Sequence, residues 1–109
     1  MEFGEKIRNL RDEAGLTQKE LANRLGVSQS YVNNVENAKL PFGEFPSEKF
    51  IHKLADELRA DEDELLIMAD KVPASIRFRI RQEPDAFRRL AALDRKSLRA
   101  LVERMDDVD

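Results

Sequence analysis

Apolar residues recur at spacings of three and four along most of the chain, which is the period of an amphipathic α-helix. In the first segment Ile7 and Leu10 follow this spacing, and Gly15 is expected to end the helix in the left-handed conformation. The Thr-x-x-Glu sequence that begins at Thr17 is a capping box, and it predicts the start of a second helix. The pattern therefore predicts two short helices before Gly26.

Three further helices are expected in the rest of the N-terminal part of the chain. Ser28 is a suitable N-cap for a third helix over about 29–36. The stretch 37–46 contains two prolines and a glycine, so it is expected to be a loop. Ser47 and Asp61 are expected to cap a fourth and a fifth helix.

The segment after Pro73 has a mixed pattern. Residues 76–81 alternate between apolar and basic side chains, which is typical of a strand, but Ile76 and Ile80 also lie four apart, as in a helix. Pro73 suits a helix start and the neighbouring segments are helical, so we favour a helix here. The strand stays open as the alternative.

Two more helices are expected at the C-terminal end, over 85–92 and 95–105, the second with Asp94 as its N-cap. The fold class predicted for the whole chain is therefore all-α. The apolar faces of these last helices consist of Phe87, Leu90, Leu98, Leu101, Val102 and Met105.

Charge divides the chain into two parts. Its 109 residues include 19 Lys and Arg against 22 Asp and Glu, a formal net charge of −3, which by itself argues against nucleic acid as a partner. Residues 1–70 contain nine basic and fifteen acidic side chains, whereas residues 71–109 contain ten basic and seven acidic ones. We therefore divide the chain into an N-terminal module, 1–70, and a C-terminal extension, 71–109.

Several function classes are disfavoured by the residues present. Cysteine is absent and His52 is the only histidine, so a transition-metal site lacks ligands. The sequence contains no glycine-rich phosphate loop, nucleophile elbow or acid–base cluster, and no apolar run of membrane-spanning length. We expect a cytoplasmic protein that is not an enzyme, uses no metal or cofactor and does not insert into a membrane.

The segment 18–37 has the most informative pattern. It predicts two short helices joined by a tight turn, with the small Ala22 where the helices approach and Gly26 where the turn needs a positive φ. This arrangement is a helix-turn-helix, whose second helix is presented outward. The expected contacts between the two helices come from Leu21, Leu25, Val27, Val32 and Val35.

The outward face of the second helix is polar and carries no formal charge. Amide side chains combine a donor and an acceptor, so they can pair bidentately with the edge of adenine. A surface helix without a binding role would more often use Glu and Lys, which form helices better. A plain polar surface is the alternative interpretation. The residues concerned are Ser28, Gln29, Ser30, Tyr31, Asn33 and Asn34.

On these features the chain resembles the phage-repressor-like helix-turn-helix family (Cro/cI, or xenobiotic response element) over about residues 3–69. The resemblance implies a five-helix, lambda-repressor-like domain followed by a helical extension, with double-stranded DNA as the partner. It also implies that Gln29, Ser30 and Asn34 read bases, with Asn33 adjacent to them. The phosphate contacts that we expect are Gln18, Lys19, Ser28, Tyr31, Asn37 and Lys39.

The resemblance further implies a partly buried ion pair between Arg11 and Glu36. The alternative is that Arg11 contacts a DNA phosphate directly. In one respect the sequence departs from the family pattern, because Ala38 occupies a position where glycine is common.

The loop that follows is also longer than is usual in the family, over residues 40–46. It contains Phe42 and Phe45, which we expect to be core or dimer contacts rather than wedges between bases. The extra length leaves the role of this loop open.

The function predicted from the sequence is a transcriptional repressor that binds a palindromic operator as a homodimer. The extension, 71–109, is expected to dimerise and to pack on the acidic helices of residues 47–69, with extra phosphate contacts or a protein partner as alternatives. Two other functions remain open. One is the antitoxin of a toxin–antitoxin pair, and the other is a protein-interaction module that has lost DNA binding.

Overall fold

The structure is a computed structural model that describes residues 2–41 and 44–107. Within these residues it contains eight α-helices and no strand, which confirms the all-α fold class. The chain divides into two compact units, one ending at Pro73 and the other beginning at Ala74. The helices are α1 (Phe3–Glu13), α2 (Gln18–Leu25), α3 (Gln29–Glu36), α4 (Glu48–Leu58), α5 (Glu62–Met68), α6 (Ala74–Gln82), α7 (Pro84–Ala91) and α8 (Arg95–Asp106).

Local capping groups determine where several of these helices begin. The backbone N–H of Glu20 donates to Thr17 Oγ1 at 3.0 Å, and the N–H of Thr17 donates to Glu20 Oε1 at 3.0 Å. This reciprocal pair is the predicted capping box. Gly26 follows α2 with φ 72°, as the tight turn requires. The other expected N-caps are confirmed as well: Ser28, Ser47, Asp61 and Asp94.

The first unit has one hydrophobic core shared by its five helices. The helix-turn-helix pair, α2 and α3, packs against both α1 and α4, and α4 packs against α5. Phe45 lies in the long loop and packs edge-on against Phe3, with ring centroids 5.8 Å apart. Phe42 lies outside the described residues. The largest fully buried side chains are Ile7, Leu21, Val32, Ile51, Leu54 and Leu65.

The backbone at the end of α3 explains why glycine is common at the position that Ala38 occupies. This residue has φ 56°, in the left-handed region that glycine adopts more easily. Its N–H donates to the carbonyl of Val35, and the N–H of Lys39 donates to the carbonyl of Asn34 at 2.8 Å. These two bonds form a Schellman motif, in which the left-handed residue is most often glycine.

Replacing Ala38 with glycine is therefore expected to raise the free energy of unfolding by about 0.5–1 kcal/mol, because the strain at positive φ exceeds the added entropy of the unfolded chain. Denaturant unfolding of the full chain measures this. The control is Ala14→Gly at the end of α1, where φ is −77° and the same change should destabilise. A loss of stability in both variants would contradict the strain at Ala38.

The second unit consists of α6, α7 and α8. The strand alternative for residues 76–81 is wrong, since they lie within α6. A helix pairs its backbone groups locally, whereas a strand would need a partner strand, and none is present in the described chain. No described residue of this unit is buried, and large apolar side chains such as Phe78 and Met105 are more than half exposed.

Neither a membrane-spanning helix nor a metal-binding group is present in the described residues. No helix there is both long and apolar enough to cross a membrane. No group of three or more His, Cys, Asp or Glu side chains in that part of the chain is placed to hold a metal ion.

Candidate nucleic-acid interface

The two helices of the predicted helix-turn-helix are positioned by their apolar faces. Leu21 and Leu25 of α2 and Val32 of α3 are each no more than 4% exposed. The turn between the helices is closed by a hydrogen bond of 3.0 Å from the N–H of Val27 to the carbonyl of Ala22. Burial of one face of α3 leaves the opposite, polar face in solvent.

That exposed face brings together all four residues expected to read bases. Gln29, Ser30 and Asn33 are exposed and Asn34 is half-buried. With Gln18 from the start of α2, they line one shallow depression of about 270 Å³. None of the five carries a formal charge, so this surface offers hydrogen-bond donors and acceptors without a carboxylate that would repel phosphate.

A buried carboxylate, that of Glu36, is hydrogen-bonded to Gln18 at one side of this surface. Glu36 is 4% exposed, and its Oε2 accepts from Nε of Arg11 at 2.7 Å while its Oε1 accepts from Nη2 of Arg11 at 3.1 Å. Nη1 of the same guanidinium donates to the carbonyl of Leu16 at 2.9 Å. The hydrogen bonds to Glu36 raise the pKa of Arg11 above its ordinary value, so the guanidinium stays charged. This bidentate pair joins α1 to the end of α3.

Gln18 connects the buried pair to the exposed face. Its Nε2 donates to Glu36 Oε1 at 3.0 Å, and its Oε1 accepts from Nδ2 of Asn33 at 3.4 Å. Because both ends of the amide are engaged, the orientation of Gln18 is fixed before any ligand binds. Gln18 is also the first residue of α2, at the end of the helix that favours anions.

Arg8 is a part of this network that the sequence did not predict. Its Nη2 donates to Asn37 Oδ1 at 2.7 Å, and its Nε lies 3.7 Å from Glu36 Oε1. Nδ2 of Asn37 in turn donates to the carbonyl of Asn33 at 2.9 Å. Both the oxygen and the nitrogen of the Asn37 side-chain amide are thus hydrogen-bonded to other residues of the protein. The spacing of three between Arg8 and Arg11 is the signal that would have placed both on one face of α1.

Of the remaining residues expected to contact phosphate, two are exposed lysines and two also have contacts within the fold. Lys19 and Lys39 are exposed. Ser28 Oγ accepts from the N–H of Tyr31 at 3.0 Å, as an N-cap. The Tyr31 ring is half-buried edge-on against Phe50, with centroids 5.1 Å apart, and this burial raises the pKa of its hydroxyl.

Gly4 is the second residue that sequence reasoning missed. A Cβ at this position would lie 2.4 Å from the carbonyl oxygen of Glu36 and 2.6 Å from that of Val35. The backbone of α1 therefore approaches the last turn of α3 so closely that only glycine fits. A glycine inside a helix is itself a signal, because it lowers helix stability unless something else requires it.

Comparisons with known proteins agree with this geometry. Residues 2–66 match a protein family described as a helix-turn-helix domain. The chain belongs to this helix-turn-helix family. The resemblance drawn from the sequence is thereby confirmed, and the chain is a DNA-binding transcriptional regulator.

Two solved structures are similar to this helix-turn-helix protein. One is a crystal structure of SinR, described as the master regulator for biofilm formation, in complex with DNA. It is 31% identical, with a TM-score of 0.52, and the match covers 59% of this chain and 97% of that one. The other is the complex of the SinR and SinI proteins, 22% identical with a TM-score of 0.54, and here the match covers 95% and 94% of the two chains. This second likeness is one of fold alone. A comparison with curated proteins found no match.

Proposed function

We propose that the chain is a sequence-specific repressor of transcription that binds a roughly palindromic operator as a homodimer. In this proposal α3 enters the major groove, and Gln29, Ser30, Asn33 and Asn34 contact base edges. The observation that carries it is the uncharged face of amides and hydroxyls that these residues form around one depression. No catalytic step is involved, since repression would follow from occupying the promoter.

Contacts to the DNA backbone would fix the register of α3 without reading sequence. Gln18 is the best placed of these residues, because its amide is already oriented and it lies at the N-terminus of α2. Lys19 and Lys39 add exposed positive charge beside α2 and α3. The other backbone contacts in the proposal are Ser28, Tyr31 and Asn37.

Arg11 and Glu36 have a structural role in this account. Two hydrogen bonds join them, and the guanidinium also donates to the carbonyl of Leu16. A guanidinium with three such bonds and little exposure has few donors left for phosphate. The geometry therefore favours the ion pair over the phosphate contact that the sequence left as an alternative.

Replacing Gln29 with alanine tests the reading of bases. We expect a loss of about 1–3 kcal/mol in binding free energy on the best site, together with a relaxed preference at one base step, because a bidentate amide contact is removed. Fluorescence anisotropy with the best duplex and with single-base variants measures both. Gln82→Ala on α6 is the matched control, and its affinity should not change. Equal weakening on every duplex would show that Gln29 contacts the backbone.

We assign DNA binding to residues 1–70 and dimerisation to the extension, 71–109. Two copies related by a twofold axis would place their α3 helices in successive major grooves, about 34 Å apart or a multiple of that distance. The large apolar side chains that the second unit leaves more than a third exposed support an association role. Sedimentation of the full chain over a range of concentrations should show a reversible dimer, and a monomer throughout would contradict it.

A protein partner other than a second copy is the second candidate function of the extension. The same exposed apolar residues favour it, and a solved SinR–SinI complex is similar in fold. An antitoxin would use its extension in this way. Co-purification of a small protein with the full chain from its natural source, at the expense of the dimer, would favour this candidate.

A further inference from the structure

α8 carries an apolar stripe that the described chain leaves partly exposed. The stripe consists of Leu98, Leu101, Val102 and Met105, whose spacing places them on one side of the helix. They are 37%, 38%, 50% and 66% exposed, respectively. A stripe of this kind is the contact surface of a helix pair.

The charges at the ends of α8 partly oppose its own helix dipole. Its first turn contains the basic Arg95 and Lys96 and its end the acidic Asp106 and Asp107, which is the unfavourable arrangement, although the N-cap Asp94 and Arg104 in the last turn have the favourable sign. A second helix lying antiparallel would relieve this, because its acidic end would meet the basic start of the first.

Three charged side chains of α8 also lie close together around the helix. Arg95, Arg99 and Asp106 lie within about 40° of one another around the helix, on one flank of the apolar stripe. Within the described chain none of the three forms an ion pair. The opposite flank carries Ser97 and Arg104.

We propose that α8 pairs antiparallel with α8 of a second copy, about a twofold axis between Leu101 and Val102. In an antiparallel pair the equivalent flanks of the two helices face each other. With this axis, Asp106 of one copy lies level with the midpoint between Arg95 and Arg99 of the other copy. Each arginine is then about 3 Å from Asp106 along the helix axis. The pairing rests on the homodimer proposed above and names the surface that forms it.

A parallel pair does not satisfy the same charges. It would bring the flank with Arg95 and Arg99 against the flank with Ser97 and Arg104, which offers the two arginines no carboxylate. It would also leave the unfavourable ends of the two dipoles side by side. Charge complementarity therefore selects the antiparallel orientation.

Reversing the charges in two variants tests the pairing in the full-length chain. Asp106→Arg alone, and Arg95→Asp with Arg99→Asp, should each weaken self-association about tenfold or more, because each places like charges together at both ends of the pair. An equimolar mixture of the two variants should dimerise again, since every facing pair is then of opposite sign. Sedimentation equilibrium measures all three samples. Arg81→Asp with Gln82→Asp on α6 is the matched control, and its dimerisation should be unchanged.

Cysteine cross-linking gives the orientation directly, because the natural chain contains no cysteine. A mixture of Leu98→Cys and Met105→Cys chains should form the mixed disulfide on mild oxidation, since these positions lie at one level of the pair. Leu98→Cys alone should not cross-link, because its two copies would be about 10 Å apart along the axis, too far for a disulfide. Efficient cross-linking of Leu98→Cys with itself would overturn the antiparallel pairing.

The outcomes separate this inference from the proposal on which it rests. A natural chain that dimerises and is unaffected by the charge variants would overturn the α8 pairing while leaving the homodimer intact. A natural chain that stays monomeric would overturn both. In either case the binding of DNA by the first unit is tested independently, by the variants of Gln29.

Discussion

Replacing Arg11 with methionine is expected to lower the free energy of unfolding by about 3 kcal/mol, although it removes only one ion pair. Methionine fills similar space, but it leaves the carboxylate of Glu36 buried without its two strongest hydrogen bonds. Gln18 and Arg8 still contact that carboxylate, so the expected cost lies at the lower end of the range for a broken buried pair. Urea unfolding of the full chain, followed by circular dichroism, measures it.

An exposed ion pair in the same domain is the control. Arg24 lies 3.8 Å from Glu57, and its side chain is 54% exposed. Arg24→Met should therefore cost no more than about 1 kcal/mol. A second comparison is Arg11→Met combined with Glu36→Gln, which should recover part of the loss because no uncompensated charge remains. If Arg11→Met destabilised the protein no more than Arg24→Met, the ion pair between Arg11 and Glu36 would not join α1 to α3 as a stabilising contact.

Replacing Gly4 with alanine is expected to lower the free energy of unfolding by about 2–3 kcal/mol. At most helical positions this change stabilises, by roughly 0.5–1 kcal/mol. Here the added Cβ would meet two backbone carbonyls of α3 at 2.4 and 2.6 Å, and a backbone cannot give way as a flexible side chain can. Separation of α1 from α3 would also lengthen the bonds between Arg11 and Glu36.

Gly26→Ala separates this effect from the ordinary cost of replacing a glycine. A Cβ at Gly26 meets nothing within 4 Å, so its only cost is the strain of φ 72°, about 1 kcal/mol. The same unfolding measurement should rank Gly4→Ala as the more damaging change. An unchanged or more stable Gly4→Ala protein would contradict the close approach of α1 to α3.

The features that the sequence predicts well are local ones. The capping box at Thr17, the left-handed Gly26 and the N-cap at Ser28 each depend on a few neighbouring residues, and together they define α2, the turn and α3. The polar face of α3 follows from helical spacing once those ends are known. Membership of the helix-turn-helix family was predictable for the same reason.

The features that the sequence did not predict depend on residues far apart in the chain. Gly4 and Arg8 acquire their roles only when α1 lies against the end of α3, which no local signal specifies. Tyr31 was expected to be a phosphate contact, but its packing against Phe50 depends on the position of α4. In residues 76–81 the alternation of apolar and basic side chains suited a strand as well as a helix, and only the absence of a partner strand in the described chain decides it.

The net charge has a different meaning once these positions are known. The carboxylate that is hydrogen-bonded to Gln18, that of Glu36, is buried and paired, while Glu62, Asp63 and Glu64 lie at the start of α5, where they stabilise the helix dipole. A net charge of −3 therefore predicts weak non-specific binding at physiological salt and does not argue against specific recognition.

Selection of bound sequences from a library of random DNA duplexes tests the central claim most directly. With the full-length chain at physiological salt, we expect enrichment of one inverted repeat whose half-sites are about ten base pairs apart or a multiple of that spacing. The Gln29→Ala variant should enrich the same repeat with one position relaxed. Recovery of no motif, even at low salt where binding is strongest, would contradict sequence-specific recognition by α3.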